Sequence, residues 1–229
     1  MQLNADFSKR AAVHAAKIPW LSSPMPGVDR RMLDRLGDEV ARATSIVRYA
    51  PNSHFSAHAH TGGEEFFVLD GVFQDEHGDF PAGSYIRNPP QSSHTPRSAL
   101  GCTIFVKLWQ FDMADRTQVR LDTNTMSFVP DATRKNIETM PLFHDVREDV
   151  ALENWQAGAR LTVEAPNGLE ALVIAGGFIE KGEIFDRYSW LRLPKGSSSI
   201  IEVGQAGARV WIKRGHMRTP PGPPGISKP

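Results

Sequence analysis

The residues best suited to chemistry lie in one short run, His58-Ala59-His60-Thr61-Gly62-Gly63-Glu64, with His94 further along. Successive side chains of a strand point to opposite faces, so His58 and His60 share one face and can grip one ion. Thr61-Gly62-Gly63 is a turn signal that lets the chain fold back and bring Glu64 to the same point. His94 follows a Pro-rich turn, Asn88-Pro89-Pro90, and is the fourth candidate ligand. Three neutral imidazoles and one carboxylate suit a divalent first-row cation: Zn2+, Fe2+, Mn2+, Ni2+ or Co2+. Such a set keeps one or two coordination positions open to water, an enolate or oxygen. No general base stands out beyond these four, so no catalytic residue is assigned. An HxH pair alone carries little. Eight His in 229 residues give about 0.3 such pairs by chance, so context must decide.

The elements that must position these residues come next. The length allows one large domain or two smaller ones. Lys and Arg number 26, as do Asp and Glu, which argues against direct nucleic-acid binding, because phosphate contacts need a cationic excess. A single Cys excludes an intramolecular disulfide framework and a Cys-based zinc cluster. No apolar run approaches a membrane span and the N-terminus has no signal-peptide core, so a cytoplasmic protein without membrane contact is expected. Short β-rich runs at 44–49, 65–69, 84–87, 103–109, 159–164, 170–175, 190–193, 199–203 and 209–213 alternate with turn residues, the spacing of a sandwich or barrel. Residues 28–42 read as a short amphipathic helical turn interrupted by Gly37. The charged run 29–39 reads as a solvated face.

The chain repeats itself at an offset of 105 residues. EFFVLDGVF from Glu65 faces EALVIAGGF from Glu170, and SYIRNPPQSSH from Ser84 faces SWLRLPKGSSS from Ser189. With one added residue, GCTIFVK from Gly101 faces GARVWIK from Gly207. Three matches in register indicate two copies of one β domain. The candidate ligands do not repeat: Val163, Ala165, Leu169 and Ser199 stand opposite His58, His60, Glu64 and His94.

These spacings resemble the two motifs of the cupin family. His58, His60, Glu64 and Gly71 fit the HxH, Glu and Gly of the first, with Asn52 in place of its leading Gly. Gly83, Pro89 and His94 fit the second, with Gln91 in place of its second Gly. The resemblance implies an all-β fold of two tandem cupin barrels, each a double-stranded β-helix or jelly roll. The expected plan is a metal-binding barrel at 1–118, a degenerate second barrel at 119–218 and a disordered tail at 219–229. Residues 45–96, and 20–44 before them, further resemble the cupin part of ChrR-type zinc-binding anti-sigma factors. That resemblance implies a sensory or regulatory role in oxidative-stress signalling, with zinc and a regulatory protein partner. The HxxxCxxC motif of the anti-sigma domain is absent from this sequence, so sigma-factor binding is not carried over. Related stand-alone cupins cleave diketones and hydroxyacetophenones as mononuclear-metal dioxygenases, which implies instead an Fe2+ enzyme with a small-molecule or oxidant ligand. A homodimer is compatible with either.

Other residues are expected to be structural. Glu65 rivals Glu64 as a ligand, but its recurrence as Glu170 in the half without ligands favours a structural role. Arg87, after Tyr85, recurs as Arg192 and reads as a salt-bridge partner. His54 reads as an exposed lip residue and Cys102 as a small buried hydrophobe. Phe66 and Val68 share parity with Glu64 and suit either core or pocket wall.

Overall fold

The computed structural model describes residues 1–38 and 40–219. The expected disordered tail lies, from 220 on, outside the described residues. The chain forms two compact units, one of Met1–Ala5 with Pro19–Thr125, the other of Asp6–Ile18 with the chain from Met126. Both are all-β. Among the described residues the only helical pieces are two 3-10 turns, Ala15–Lys17 and Thr123–Thr125. No helix is long and apolar enough to cross a membrane.

In the first unit six antiparallel strands lie side by side: Val28–Gly37, Ala41–Tyr49, Cys102–Leu108, Glu64–Asp75, Ser84–Asn88 and Val119–Asp122. Shorter pairs make the opposing face. Gly78–Pro81 returns along the far end of Glu64–Asp75, Arg97–Ser98 pairs with Ser53–His54, and Ser93–His94 pairs with His58–Ala59. Alternate residues of these strands point inward. Phe66, Val68, Phe73, Ile86, Cys102, Ile104 and Val106 form the core between the faces. Cys102 is buried there, and burial pushes its thiol up to about 11.

Residues 28–42 are not helical. They form a strand pair with Arg30 opposite Val47 and Arg31 opposite Ile46, and a bulge between Met32 and Asp34. Charged side chains on both faces hide the period of two, and the bulge shifts its phase. Gly37, at φ +121, begins the turn into the next strand, a conformation that favours glycine. The charged run is not a solvated face either: Asp34 is fully buried beside Arg42, 3.7 Å away.

The second unit repeats the order with Ile137–His144, Asp149–Trp155, Ser197–Arg214, Leu169–Glu180, Ser189–Leu193 and Ala11–His14. Glu64–Asp75 and Ser84–Asn88 recur as Leu169–Glu180 and Ser189–Leu193 at the 105-residue offset. Glycine recurs where the backbone demands it. A Cβ on Gly71 would lie 2.1 Å from the Gly101 carbonyl oxygen, and one on Gly176 would lie 2.0 Å from that of Gly207. The structural role expected of Glu65 also has a counterpart. Tyr85 donates to Glu65 at 2.6 Å, and Trp190 donates to Glu170 at 3.2 Å. Arg87 pairs with Asp115 at 2.7 Å.

The division differs from the expected boundary after residue 118 in two places. Val119–Asp122 pairs with Ser84–Asn88, so the first unit continues to Thr125. Residues Asp6–Ile18 belong with the second unit, because Ala11–His14 pairs with Ser189–Leu193. The two flanking strands occupy equivalent places, since Arg87 lies opposite Val119 and Arg192 opposite Ala11.

Candidate metal centre

Two strand pairs and a turn bring the predicted residues together. His94 lies directly opposite His58 in their short ladder. The next residues lock the register: the His60 N–H donates to the Ser92 carbonyl at 2.8 Å, and the Gln91 N–H donates to the His60 carbonyl at 2.9 Å. The turn Thr61–Gly63 then delivers Glu64 to the start of its long strand. Gly62 and Gly63 leave room for aromatic rings, since a Cβ at either would fall within 2.4 Å of Trp109 or Phe111.

Both departures from the motif glycines fall at left-handed backbone. Asn52 stands at φ +59 and Gln91 at φ +73, whereas Gly196, the counterpart of Gln91, stands at +78. The turns keep the geometry that the glycines would serve. Asn tolerates that conformation well, while at Gln91 it costs about 1–2 kcal/mol, held by the His60–Gln91 hydrogen bond.

The three imidazoles offer ligand atoms that all lie within 4.8 Å of one another. Glu64 joins them, with Oε2 3.5 Å from His60 Nε2 and 3.6 Å from His94 Nε2. Donor atoms sharing one ion at about 2.1 Å lie roughly 3.0–3.5 Å apart, and the Glu64 separations lie close to that range. Both Nε2 atoms are buried and have no hydrogen-bond partner, an arrangement that costs free energy unless something binds there. The residues therefore fit a metal. His58 is exposed, and His60, Glu64 and His94 are buried, so the cluster opens on the His58 side.

The outer nitrogens are held in ways that turn Nε2 inward. His58 Nδ1 lies 3.1 Å from the Ser56 carbonyl, and His94 Nδ1 lies 3.3 Å from Asp75 Oδ2. Burial pushes the His60 imidazole below its ordinary value, against the pull of Glu64 and with His94 and His58 adding to the push. Burial also works to lower His94, but Asp75 and Glu64 outweigh it and hold that imidazole above its ordinary value. Asp75 is itself held low despite burial, by His94 and by the His77 N–H.

Asp75 is the residue that sequence reasoning missed. It sits before a hairpin turn with no motif around it. A signal existed in the repeat, because Asp75 faces Glu180 and His94 faces Ser199, and that pair is also bonded, Ser199 Oγ to Glu180 at 2.5 Å. A carboxylate that orients a ligating imidazole commonly sets metal affinity. Asp75→Asn is expected to weaken metal binding about 10- to 100-fold with the four ligands intact, read by competition with a chromophoric chelator. Unchanged affinity would leave Asp75 as packing only.

Of the remaining candidates, His54 is exposed at the rim of the short pairs, and Phe66 and Val68 belong to the core cluster. A bay of about 330 Å³ opens beside the cluster, lined by His58, His60, Glu64, Trp109, Arg30 and Arg35 among others.

Residues 8–112 match the ChrR cupin-like domain family. No curated protein matches the chain by sequence. Solved structures of cupin fold resemble it at low identity. A candidate dioxygenase from Nostoc punctiforme is 13% identical, over 96% of this chain and 84% of its own, with a TM-score of 0.71. A bacterial pirin from Escherichia coli, in complex with nickel(II), is 14% identical over 90% and 98%, with a TM-score of 0.61. A cupin 2 conserved barrel domain protein from Leptotrichia buccalis is 10% identical over 89% and 95%, at 0.58. At these identities the likeness shows the fold: the chain is built of cupin barrels.

Proposed function

We propose, for a chain whose residues 8–112 belong to the ChrR cupin-like domain family, that the first barrel holds one divalent transition-metal ion and acts there on a small molecule. The ligands are His58, His60, Glu64 and His94, and the chemistry is of the mononuclear-metal dioxygenase type. The observation that carries this reading is the pair of buried, unpartnered Nε2 atoms on His60 and His94, both turned to Glu64. When bound, the metal supplies a Lewis-acid centre with open positions for oxygen donors.

The surrounding residues have separate tasks. Asp75 and the Ser56 carbonyl fix the His94 and His58 rings. Asn88 Nδ2 donates to Glu64 Oε2 at 3.4 Å, and Gln118 supports Asn88 at 3.3 Å, which steadies the carboxylate. Burial, with Glu64 nearby, pushes the Tyr49 hydroxyl upward, so that phenol stays neutral and adds no charge to the interior. The exposed side at His58 is the entry for a ligand, and Trp109 forms part of the wall.

The likeness to the candidate dioxygenase supports oxygen chemistry on this fold, and the pirin in complex with nickel(II) supports a fold that takes a divalent cation. A second reading rests on the ChrR family match: a sensor in which metal or ligand occupancy, with Zn2+ as the ion, changes contact with a regulatory protein. Elemental analysis of protein purified without added metal, followed by oxygen-electrode traces of the Fe2+-loaded protein, separates the two. The enzyme reading expects one iron per chain and oxygen uptake with a diketone or a hydroxyacetophenone. Zinc as the resident metal, with no oxygen uptake across that panel, would move the site to the sensor reading.

A further inference from the structure

The bay beside the metal cluster has a charge that the metal ligands do not explain. Arg30 and Arg35 both line it. They reach it because they stand opposite Val47 and Ala43, on the side of their strand that turns inward. Without the bulge between Met32 and Asp34 the two arginines, five positions apart, would lie on opposite faces. The bulge shifts the alternation and puts both guanidinium groups on one face.

Neither arginine is answered by a carboxylate side chain in the bay. The Arg30 side chain has its Nε buried without a hydrogen-bond partner. Arg35 donates to the Asp38 backbone carbonyl and feels the Asp38 carboxylate, which does not line the bay. Among the described residues that line the bay, Glu64 is the one carboxylate, and it faces the histidines. A divalent ion at the cluster would add two more positive charges. Such a concave, cationic site focuses an attractive potential on anions, and the planar guanidinium fork matches a carboxylate.

We infer that this bay binds a small carboxylic acid that carries a second oxygen donor, a 2-oxo or 2-hydroxy acid, with its carboxylate on Arg30 and Arg35 and its other oxygen toward the metal cluster. This rests on the metal reading above and names the ligand class for that site. The volume, about 330 Å³, is at the low end for ligand pockets, which favours an acid of a few carbons. Leu108 and Trp109 supply the apolar wall for its short chain.

Calorimetric titration tests the inference with 2-oxobutyrate and 2-hydroxybutyrate as probes and pentane-2,4-dione as the uncharged comparison. The protein is used in full, both metal-free and loaded with Zn2+, with metal content measured on each sample. The acids are expected to bind the loaded protein at least tenfold more tightly than the dione. Arg30→Gln and Arg35→Gln are each expected to weaken the acids at least tenfold while metal content stays at one per chain. Equal affinity for acid and dione, acid binding unchanged in both variants, or no acid binding by metal-loaded protein would each overturn the clamp. Failure of the metal reading looks different. The protein would then take up no metal, while any acid binding that still depends on Arg30 would sustain the clamp alone.

Discussion

His60→Ala is expected to cut bound divalent metal from one ion per chain to less than about a tenth of that, while the barrel remains folded. The imidazole is central to the set. Its ring centroid lies 4.6 Å from that of His94 and 5.1 Å from that of His58, and its Nε2 is 3.5 Å from Glu64. Losing it leaves two nitrogens and a carboxylate, one donor short of a closed structural set. The fold should tolerate the change, because His60 lies outside the apolar core cluster and its buried Nε2 has no hydrogen-bond partner. Removing such a group relieves a desolvation penalty that offsets part of the lost packing. Thermal melts provide the check alongside elemental analysis. Metal at a hundredfold excess over its dissociation constant stabilises a binding protein by about 2.7 kcal/mol, so the wild type should melt higher with metal. The variant should melt at one temperature with or without it, with unchanged β-sheet circular dichroism. Retained metal and a retained thermal shift would remove these four residues from the assignment.

How far the sequence could lead to this site follows from which constraints are local. The clustering of the candidate ligands was legible because turn and strand chemistry fix them at short range. Alternation brings His58 and His60 together, and glycines at 62 and 63 permit the turn to Glu64. The repeat was legible because Gly71 and Gly176 each stand against a facing carbonyl where no side chain fits. Asn52 and Gln91 departed from the motif in letter only, since both take the left-handed backbone that glycine would take. The misreadings have physical causes too. In 28–37 the charged side chains mask the strand period, and the bulge after Met32 breaks it. Reading that run as a solvated face hid Arg30 and Arg35, which line the bay. Asp75 was hidden because its partner, His94, lies on another strand pair. The place of 6–18 in the second unit depends on contacts with residues more than 160 positions away, such as Arg10 with Glu180, beyond the reach of local pattern.

Those contacts carry the other large prediction. At the 105-residue offset Glu180 stands where Asp75 stands, fully buried, and Ser199 stands where His94 stands. A carboxylate in that position needs a compensating charge. Arg10 supplies it: Nε and Nη2 donate to Glu180 Oε2 at 2.8 and 2.5 Å, and Nη2 also reaches Glu183 at 2.5 Å. His14, four residues on, contacts Glu183 at 2.9 Å and Ser189 at 2.9 Å. A guanidinium from the N-terminal segment thus serves as the cation at the equivalent end of the second barrel. Arg10→Ala leaves the Glu180 charge buried without its cation, which costs about 3–5 kcal/mol for fully buried pairs. The Arg10 side chain is 26% exposed, so the lower end, about 3 kcal/mol, is expected. Hydrogen exchange locates the effect. Protection should fall in Leu169–Glu180 and Ser189–Leu193 but hold in Glu64–Asp75 of the first unit. The double variant Arg10→Met with Glu180→Gln should recover most of the loss, since it removes the stranded charge as well as its partner. If Arg10→Ala alone changed stability by under about 1 kcal/mol, the pair would rank with ordinary surface ion pairs. The second barrel would then need another source of compensation for Glu180.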